Sequence, residues 1–262
     1  MRPEIDAATA RALLDWQLEM GVDCAVGPAP VDRFGLPDRM PAPAAPATPA
    51  AAPAAEALRA APDDPVAAAE AAADGAQDLP ALREALARYP HCELRLGARS
   101  LVFADGDPRA RVMIVGEAPG RDEDREGRPF VGQAGRLLDR MLDAIGMDRA
   151  HDDPGRSVYI TNVLPWRPPQ NRDPEPAEAA MMLPFLRRHV ALADPEVLVL
   201  MGNHACQAVL GRKGITRLRG QWTEGLGRPV LPMLHPAYLL RQPHAKRQAW
   251  TDLLELAARL GL

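Results

Sequence analysis

Short apolar runs alternate with longer helix-forming segments from residue 79 onwards, and this alternation limits the fold more than any other feature of the chain. Four runs rich in branched residues have the length of buried strands: RVMIV at 111–115, SVYIT at 157–161, EVLVLM at 196–201 and PVLPML at 229–234. Strands that alternate with helices form a parallel sheet covered on both faces. The sequence therefore predicts a three-layer α/β/α sandwich with a central, mainly parallel four-stranded sheet.

Segments with helical periodicity fill the intervals between these strands. The clearest is AGRLLDRMLDAIG at 134–146, whose apolar residues share one face and which stops at Gly146, where a left-handed cap costs little. Asp173 and Pro174 have the chemistry of a helix start. The predicted helices cover 79–89, 134–146, 174–192, 204–210 and 243–260.

The first 78 residues differ in composition from the rest. Residues 6–20 predict an amphipathic helix, which we assign to an N-terminal segment 1–25. The stretch 41–55 holds 5 Pro and 9 Ala and cannot bury enough apolar surface to offset the entropy of ordering it. We therefore predict an Ala/Pro-rich disordered linker over 26–78, in which 65–73 could form a short helix, and a folded domain over 79–262.

Charge and cysteine content narrow the class of protein. Residues 1–79 carry 5 basic and 13 acidic side chains, whereas residues 80–262 carry 26 and 22, so the folded part is compatible with a nucleic-acid partner. No apolar run reaches the length of a membrane span, and the N-terminus lacks the pattern of a signal peptide. Three cysteines are too few for a disulfide framework. We expect a cytoplasmic monomer without membrane contact, in which residues 6–20 could bind a protein partner.

Ligands of parallel α/β sheets bind beyond the carboxyl ends of the strands, so the segments that follow the strands are the candidate site. They are GEAPGRDEDREGRPFVGQ, NVLPWRPPQNRDP, GNHA and HPAYLLR. Phe130 suits stacking on a planar base, Asn162 offers one donor and one acceptor, and His235 is restricted by the proline that follows it. Each also has an ordinary explanation, as a core residue, a turn former and a structural histidine. Their convergence at one sheet edge favours function.

Other candidates are weaker. The turn that starts at Gly116 lacks both common phosphate-binding patterns. Leu239 and Arg241 place apolar bulk beside a cation, a pair that could wedge into a base stack, while Leu240 better fits the apolar face of a final helix. The remaining histidines are assigned surface or packing roles: His91, His151, His189, His204 and His244.

Together these segments resemble the uracil-DNA glycosylase superfamily, specifically its type-4 branch. The resemblance rests on VGEAPGRDEDREGRPFVGQAGRLLDRML, YITNVLPWRPPQNRDP, PEVLVLMGNHA, LRG at 218–220 and HPAYLLRQP, in the family's order and spacing over nearly all of 87–256. It implies a base excision repair enzyme that flips uracil out of DNA and hydrolyses its N-glycosidic bond, leaving an abasic site.

The resemblance also implies roles for individual residues. Phe130 would stack on the flipped uracil, Asn162 would read its O4 and N3–H, and His235 would hydrogen-bond O2 as negative charge grows on the leaving base. The remaining uracil-pocket positions are Gly116 and Ala118, and the DNA-binding and intercalation positions are Leu239, Arg241, Asn171 and Arg172.

The group that activates water is left open by the resemblance. In the best-known branch of the superfamily an Asp stands two residues after the first Gly of the motif, and here that position is Ala118. Glu123 and Glu117 are the candidates, although the acidic run DEDRE is equally typical of a solvated turn. Stabilisation of the departing anion supplies much of the catalysis in such a mechanism, so a weakly placed base would not abolish it.

Type-4 enzymes bind a four-iron, four-sulfur cluster through four cysteines, and the chain departs from this pattern. The resemblance places the four ligand positions at Tyr89, Cys92, Trp166 and Met182. One thiolate cannot hold such a cluster. We therefore expect no cofactor and no metal, a hydrophobic plug in the cluster's volume, and an inert buried thiol at Cys92.

Three alternatives remain. A relative that traps its product would carry a basic insertion with a His after the ITN motif, and no insertion is present. A nucleotide-binding module of another α/β fold would leave Asn162 and His235 unexplained. A DNA-binding module or scaffold of glycosylase-like fold, without turnover and with the acidic N-terminal arm recruiting a partner, is distinguished by deleting residues 1–78, which should spare catalysis.

Overall fold

The computed structural model of the chain describes residues 64–262 and contains a six-stranded sheet of order β1-β3-β2-β4-β6-β5. The four strands predicted from the sequence are present and pair in parallel, as β3, β2, β4 and β6. Two short antiparallel strands, β1 and β5, extend the edges and are too short to leave a sequence pattern. The strands are β1 Asp105–Gly106, β2 Val112–Gly116, β3 Val158–Asn162, β4 Val197–Met201, β5 Thr223–Gly225 and β6 Arg228–Met233.

Ten α-helices lie in the described part of the chain. The longer ones match the predicted segments. The helices of four to six residues were not predicted, because they are too short to show a helical repeat of apolar residues. The helices are α1 Pro65–Asp74, α2 Leu79–Arg88, α3 Leu94–Gly97, α4 Arg121–Glu126, α5 Gln133–Asp143, α6 Pro176–Ala193, α7 Asn203–Leu210, α8 Ile215–Leu218, α9 Pro236–Arg241 and α10 Lys246–Leu260.

The sheet separates two hydrophobic clusters, which makes the three layers. Alternate residues of β2 face opposite sides: Met113 and Val115 belong to one cluster, and Val112 and Ile114 to the other. Helices α1, α2, α6 and α7 contribute to the first cluster, and α5 and α10 to the second. The predicted α/β/α sandwich is therefore confirmed, with a mixed sheet of six strands.

Helix α1 lies within the interval that was predicted to be linker. Asp64 caps it by accepting a hydrogen bond from Val66 N at 2.9 Å. Its buried alanines, Ala69 and Ala73, are small enough to let α1 pack closely against α6. The last part of the interval 26–78 therefore forms a helix that packs against the rest of the domain. The predicted N-terminal helix and the linker up to residue 63 lie outside the described residues.

Between residues 64 and 262, no helix combines the length and apolar character needed to cross a bilayer. Both described cysteines, Cys92 and Cys206, are free thiols and buried. The cytoplasmic location and the monomeric state stay predictions from the sequence.

Candidate active site

Three of the predicted site residues lie together at the carboxyl ends of the parallel strands. Gly116 ends β2 and is paired in register with Asn162, which ends β3. His235 follows the end of β6 by two residues and caps helix α9. The parallel topology thus brings residues from three separate segments to one edge of the sheet, as the strand-end rule predicts.

Gly116 is the point at which the aromatic ring and the amide converge. A Cβ atom at this position would lie 2.3 Å from Asn162 Oδ1 and 2.5 Å from Phe130 Cε2, distances that no side chain tolerates. Phe130 and Asn162 are both buried, at 5% and 7% exposure. The absence of a side chain at Gly116 is therefore what allows the ring and the amide to face a common space.

The loop that carries Phe130 is held in a conformation unusual for an aromatic residue. Its φ of 53° lies in the left-handed region, which L residues rarely adopt. Arg149 fixes the loop on one side by donating to Pro129 O at 3.0 Å and Phe130 O at 2.9 Å. Gly135 allows the loop to approach α5, because a Cβ there would collide with Phe130 O. The strain indicates that the position of the ring is imposed by its surroundings.

Glu123 fixes the same loop from the other side. Its Oε1 accepts hydrogen bonds from Val131 N at 3.0 Å and Gly132 N at 2.8 Å, and its Oε2 accepts one from Gly120 N at 3.1 Å. These bonds orient the carboxylate towards the backbone and make Glu123 a brace of the Phe130 loop. The predicted role of Glu123 in orienting water is therefore not favoured by its contacts.

His235 stacks on Phe130 with 5.4 Å between ring centroids and 29° between ring planes. Its Nδ1 accepts a hydrogen bond from Ala237 N at 3.1 Å, so the neutral ring carries its proton on Nε2. Burial, aided by the nearby Arg241 guanidinium, lowers the pKa of His235 to about 4. The residue is therefore a neutral Nε2–H donor at neutral pH.

The amide of Asn162 is the complementary polar group. Among residues 64–262, no side chain or backbone group hydrogen-bonds to it, although the residue is only 7% exposed. The one fully buried side-chain polar atom without a partner in this range is Ser157 Oγ, so the amide of Asn162 is open to the space beside it. Its donor and acceptor are thus available to a ligand.

These groups line a cavity of about 340 Å³, large enough for a nucleobase. A second cavity of about 380 Å³ adjoins it and shares Glu117, Ala118, His235, Ala237 and Arg241. The first cavity is lined by Glu117, Ala118, Pro119, Gly120, Glu123, Phe130, Ala134, Asn162, Pro168, Asn171, Arg172, His235, Ala237 and Arg241. The predicted uracil-pocket residues meet there, apart from Gly116, which lies beneath the ring and the amide.

The sequence model of the uracil DNA glycosylase superfamily matches residues 103–254, a segment that contains every element of this site. The chain belongs to this superfamily. The match confirms the membership that was predicted from the motifs at the strand ends.

Several type-4 uracil-DNA glycosylases are similar to this superfamily member. That of Thermotoga maritima is 41% identical over 153 residues, which are 57% of this chain and 77% of that protein. That of Archaeoglobus fulgidus is 37% identical over 179 residues, 65% of this chain and 87% of that protein. That of Sulfurisphaera tokodaii is 36% identical over 176 residues, 63% of this chain and 77% of that protein.

The predicted intercalation loop of this superfamily member is a helix. Residues 236–241 form α9, in which Pro236 and Leu239, three residues apart, both face the core. Leu239 is only 1% exposed, so its burial does not favour the predicted role of an intercalating wedge. Leu240, which was assigned to a packing role, packs against the core and is partly exposed, and Arg241 is exposed at the rim of both cavities.

Two further predicted DNA contacts already have partners within the domain. Arg172 binds Glu178 through two hydrogen bonds of 2.9 and 2.5 Å and lies 3.2 Å from Glu175, which ties the loop to the start of α6. Asn171 accepts a hydrogen bond from Arg167 Nε at 2.7 Å. Both residues line the cavity, and their contacts favour positioning of its wall.

The positions that the resemblance assigns to cluster cysteines do not fit an iron–sulfur cluster. All four residues, Tyr89, Cys92, Trp166 and Met182, are at most 4% exposed within one hydrophobic cluster. Burial raises the pKa of the Cys92 thiol, which disfavours the thiolate that iron requires. The Tyr89 hydroxyl donates to Pro65 O at 2.6 Å, and the cavity beside Met182 measures only about 20 Å³.

Sequence reasoning missed one residue of the site. His204 was assigned a surface or packing role, yet its Nδ1 lies 2.6 Å from Glu117 Oε2. The segment GNHA that contains it follows the carboxyl end of β4. The strand-end rule that indicated Asn162 and His235 would therefore have indicated His204 as well.

Proposed function

We propose that this chain excises uracil from DNA by hydrolysing the N-glycosidic bond of deoxyuridine, leaving an abasic site for base excision repair. The observation that carries the proposal is the meeting of the Phe130 ring, the Asn162 amide and the His235 imidazole around one base-sized cavity. Family membership and the names of the type-4 relatives agree with it.

Asn162 supplies base selectivity. Uracil presents an acceptor at O4 and a donor at N3–H, which match the donor and acceptor of an amide. Cytosine presents the opposite order at these positions, so its binding would leave both amide groups of Asn162 facing like partners. Buried polar groups left unpaired in this way give strong discrimination, because the mismatched ligand has to lose hydration without recovering hydrogen bonds.

His235 stabilises the leaving group. As the glycosidic bond lengthens, negative charge grows on the uracil oxygens, and a neutral Nε2–H placed at O2 would donate to that charge. The Ala237 N–H to Nδ1 hydrogen bond and the stack on Phe130 fix the ring beforehand. One such preorganised donor is typically worth about 3–4 kcal/mol of the barrier.

Glu117 is the better candidate for orienting the attacking water. It lines both cavities, whereas Glu123 is engaged with three backbone amides. Ala118 supplies only a methyl group where a carboxylate stands in the best-known branch. In the proposed reaction Glu117 holds the water against the sugar as the oxocarbenium-like centre forms.

The remaining roles concern DNA and the cluster. Arg241, exposed beside the cavity, would bind a phosphate, and Leu240 would contact the opened base stack in place of Leu239. Asn171 and Arg172 would shape the wall of the cavity that faces the DNA strand.

We further propose that the chain works without an iron–sulfur cluster. The four buried side chains at the ligand positions fill the volume that a cluster would occupy. We also propose that residues 6–20 recruit a protein partner.

The experiment uses the full chain and an end-labelled oligonucleotide with a single uracil, followed by alkali to cleave abasic sites. His235→Ala and Asn162→Ala should each lower scission at least about a hundredfold, the scale for one preorganised contact. His151→Ala, on the exposed surface, is the matched control and should match the unaltered chain. Binding of the oligonucleotide without scission by the unaltered chain would instead identify a binding module, and a stable protein–DNA adduct would identify product trapping.

A further inference from the structure

Glu117 and His204 are brought together by the sheet itself. Glu117 directly follows β2 and His204 lies in the first turn of α7, directly after β4. Strands β2 and β4 are parallel neighbours, with Val115 in register with Leu200. Because both residues are attached to the carboxyl ends of rigid strands, their contact is set by the backbone framework.

The contact is a short hydrogen bond with a defined direction. His204 Nδ1 lies 2.6 Å from Glu117 Oε2. An ionised carboxylate only accepts hydrogen bonds, so the proton of this pair lies on Nδ1 and the imidazole donates. Among residues 64–262, no group bonds to the second oxygen, Oε1 of Glu117.

A second carboxylate faces the other edge of the imidazole. Asp173 Oδ2 lies 3.7 Å from His204 Nε2, too far for a direct hydrogen bond. The Asp173 side chain is 82% exposed, against 23% for His204 and 32% for Glu117. Asp173 therefore acts on His204 only weakly, through solvent, while the bond to Glu117 is partly shielded.

We propose that His204 positions the Glu117 carboxylate for the attack of water, an inference that rests on the proposed function. The hydrogen bond from the imidazole to Oε2 favours one orientation of the carboxylate, in which Oε1 is left to accept a hydrogen bond from the water. Both residues line the cavity that also contains His235. His204 is thus a positioning residue that acts through Glu117 without touching the substrate.

The test compares kcat and KM for uracil excision by the full chain carrying His204→Ala or His204→Asn. Loss of positioning should lower kcat about 10–100-fold with KM unchanged, which is part of the 10²–10⁴-fold typical of acid–base catalysis. Asparagine can place a side-chain N–H near the position of Nδ1, so His204→Asn should recover most of the lost rate. Asp173→Asn should change kcat less than about threefold, because an exposed ion pair contributes little.

A double-variant comparison separates positioning from a general structural effect. In the Glu117→Ala background, His204→Ala should cause no further loss, because the group it positions is gone. Equal losses of kcat with and without Glu117, or a change confined to KM, would overturn the proposal. So would a His204→Ala chain that excises uracil within twofold of the unaltered one. Thermal unfolding of each variant checks that the fold is kept.

Two other outcomes have distinct meanings. The ligand atoms of Glu117, Asp173 and His204 lie within 4.8 Å of one another, a spacing that a divalent cation also accepts. Activity that is lost in EDTA and restored by Zn²⁺ would show that a cation, and not a hydrogen bond, joins these groups, and would overturn the proposal. An unaltered chain that leaves uracil in place would refute the proposed function itself, whereas an active chain insensitive to His204 would refute only this inference.

Discussion

Removing the Glu123 carboxylate should lower the free energy of unfolding, because it loosens the Phe130 loop. It should have a smaller effect on the orientation of the attacking water. Glu123→Ala leaves three part-buried backbone N–H groups, those of Gly120, Val131 and Gly132, without their acceptor. A buried donor left unpaired costs about 1–3 kcal/mol, and the lower end applies because water can reach part-buried groups. The three bonds together give an expected loss of about 3 kcal/mol in the free energy of unfolding.

Glutamine at this position is the informative control. In Glu123→Gln the amide oxygen can keep the bonds to Val131 N and Gly132 N, while the amide nitrogen cannot accept from Gly120 N. We expect a loss of about 1 kcal/mol in stability, measured by urea unfolding, because one bond of three is lost. Excision should stay within about tenfold of the unaltered chain, since Phe130 keeps its place.

Glu117→Gln should show the opposite pattern. Its stability should change by less than about 1 kcal/mol, because the side chain is partly exposed and its amide can still accept from His204, whereas excision should fall at least about a hundredfold. If Glu123→Gln instead abolished excision at unchanged stability, the bracing role inferred from its three contacts would be refuted, and Glu123 would be the group that orients water.

Three further predictions follow from the structure. Gly116→Ala places a methyl group against Asn162 and Phe130 and should abolish excision. The overpacking should also cost about 1–3 kcal/mol of stability, measured by urea unfolding. Gly97→Ala is the control, because a Cβ there meets nothing within 4 Å, and it should leave both excision and stability nearly unchanged. Burial lowers the pKa of His189 to about 3, so below pH 6.5 the unfolded chain takes up a proton that the folded chain does not. Between pH 8 and pH 5 this residue should therefore cost about 2 kcal/mol of stability, and His189→Gln should remove that part of the pH dependence in urea titrations. Anaerobically purified protein should contain no stoichiometric iron and show no visible absorption band, and the presence of both would refute the inferred packing around Cys92.

The parts of the fold that were predicted correctly have strong local patterns. The runs at 112–115 and 197–201 are apolar along their whole length because both faces of β2 and β4 are buried. The edge strand β1 has only two residues and owes its pairing to β3, so no local pattern announces it. Helix α1 has an Ala-rich sequence like that of the preceding linker, and only its packing against α6 distinguishes the two.

The site divides in the same way. Phe130, Asn162 and His235 were identified because they follow strands whose carboxyl ends must meet at one edge of a parallel sheet. The roles of the two glutamates could not be distinguished in the sequence, because Glu123 and Glu117 lie only six residues apart and have the same chemistry. Their difference lies in the partners that folding gives them: three nearby amides for one, and an imidazole 87 residues away for the other.

The sequence by itself determined the order of strands and helices, the superfamily, and the three side chains around the cavity, because hydrophobic periodicity and short motifs are local properties of the chain. Only the tertiary structure decided which carboxylate is held by backbone amides and which by an imidazole, that Leu239 is buried while Leu240 is partly exposed, and that His204 lines the adjoining cavity. These outcomes depend on burial and on distances between residues far apart in the chain, which are fixed only when the layers pack.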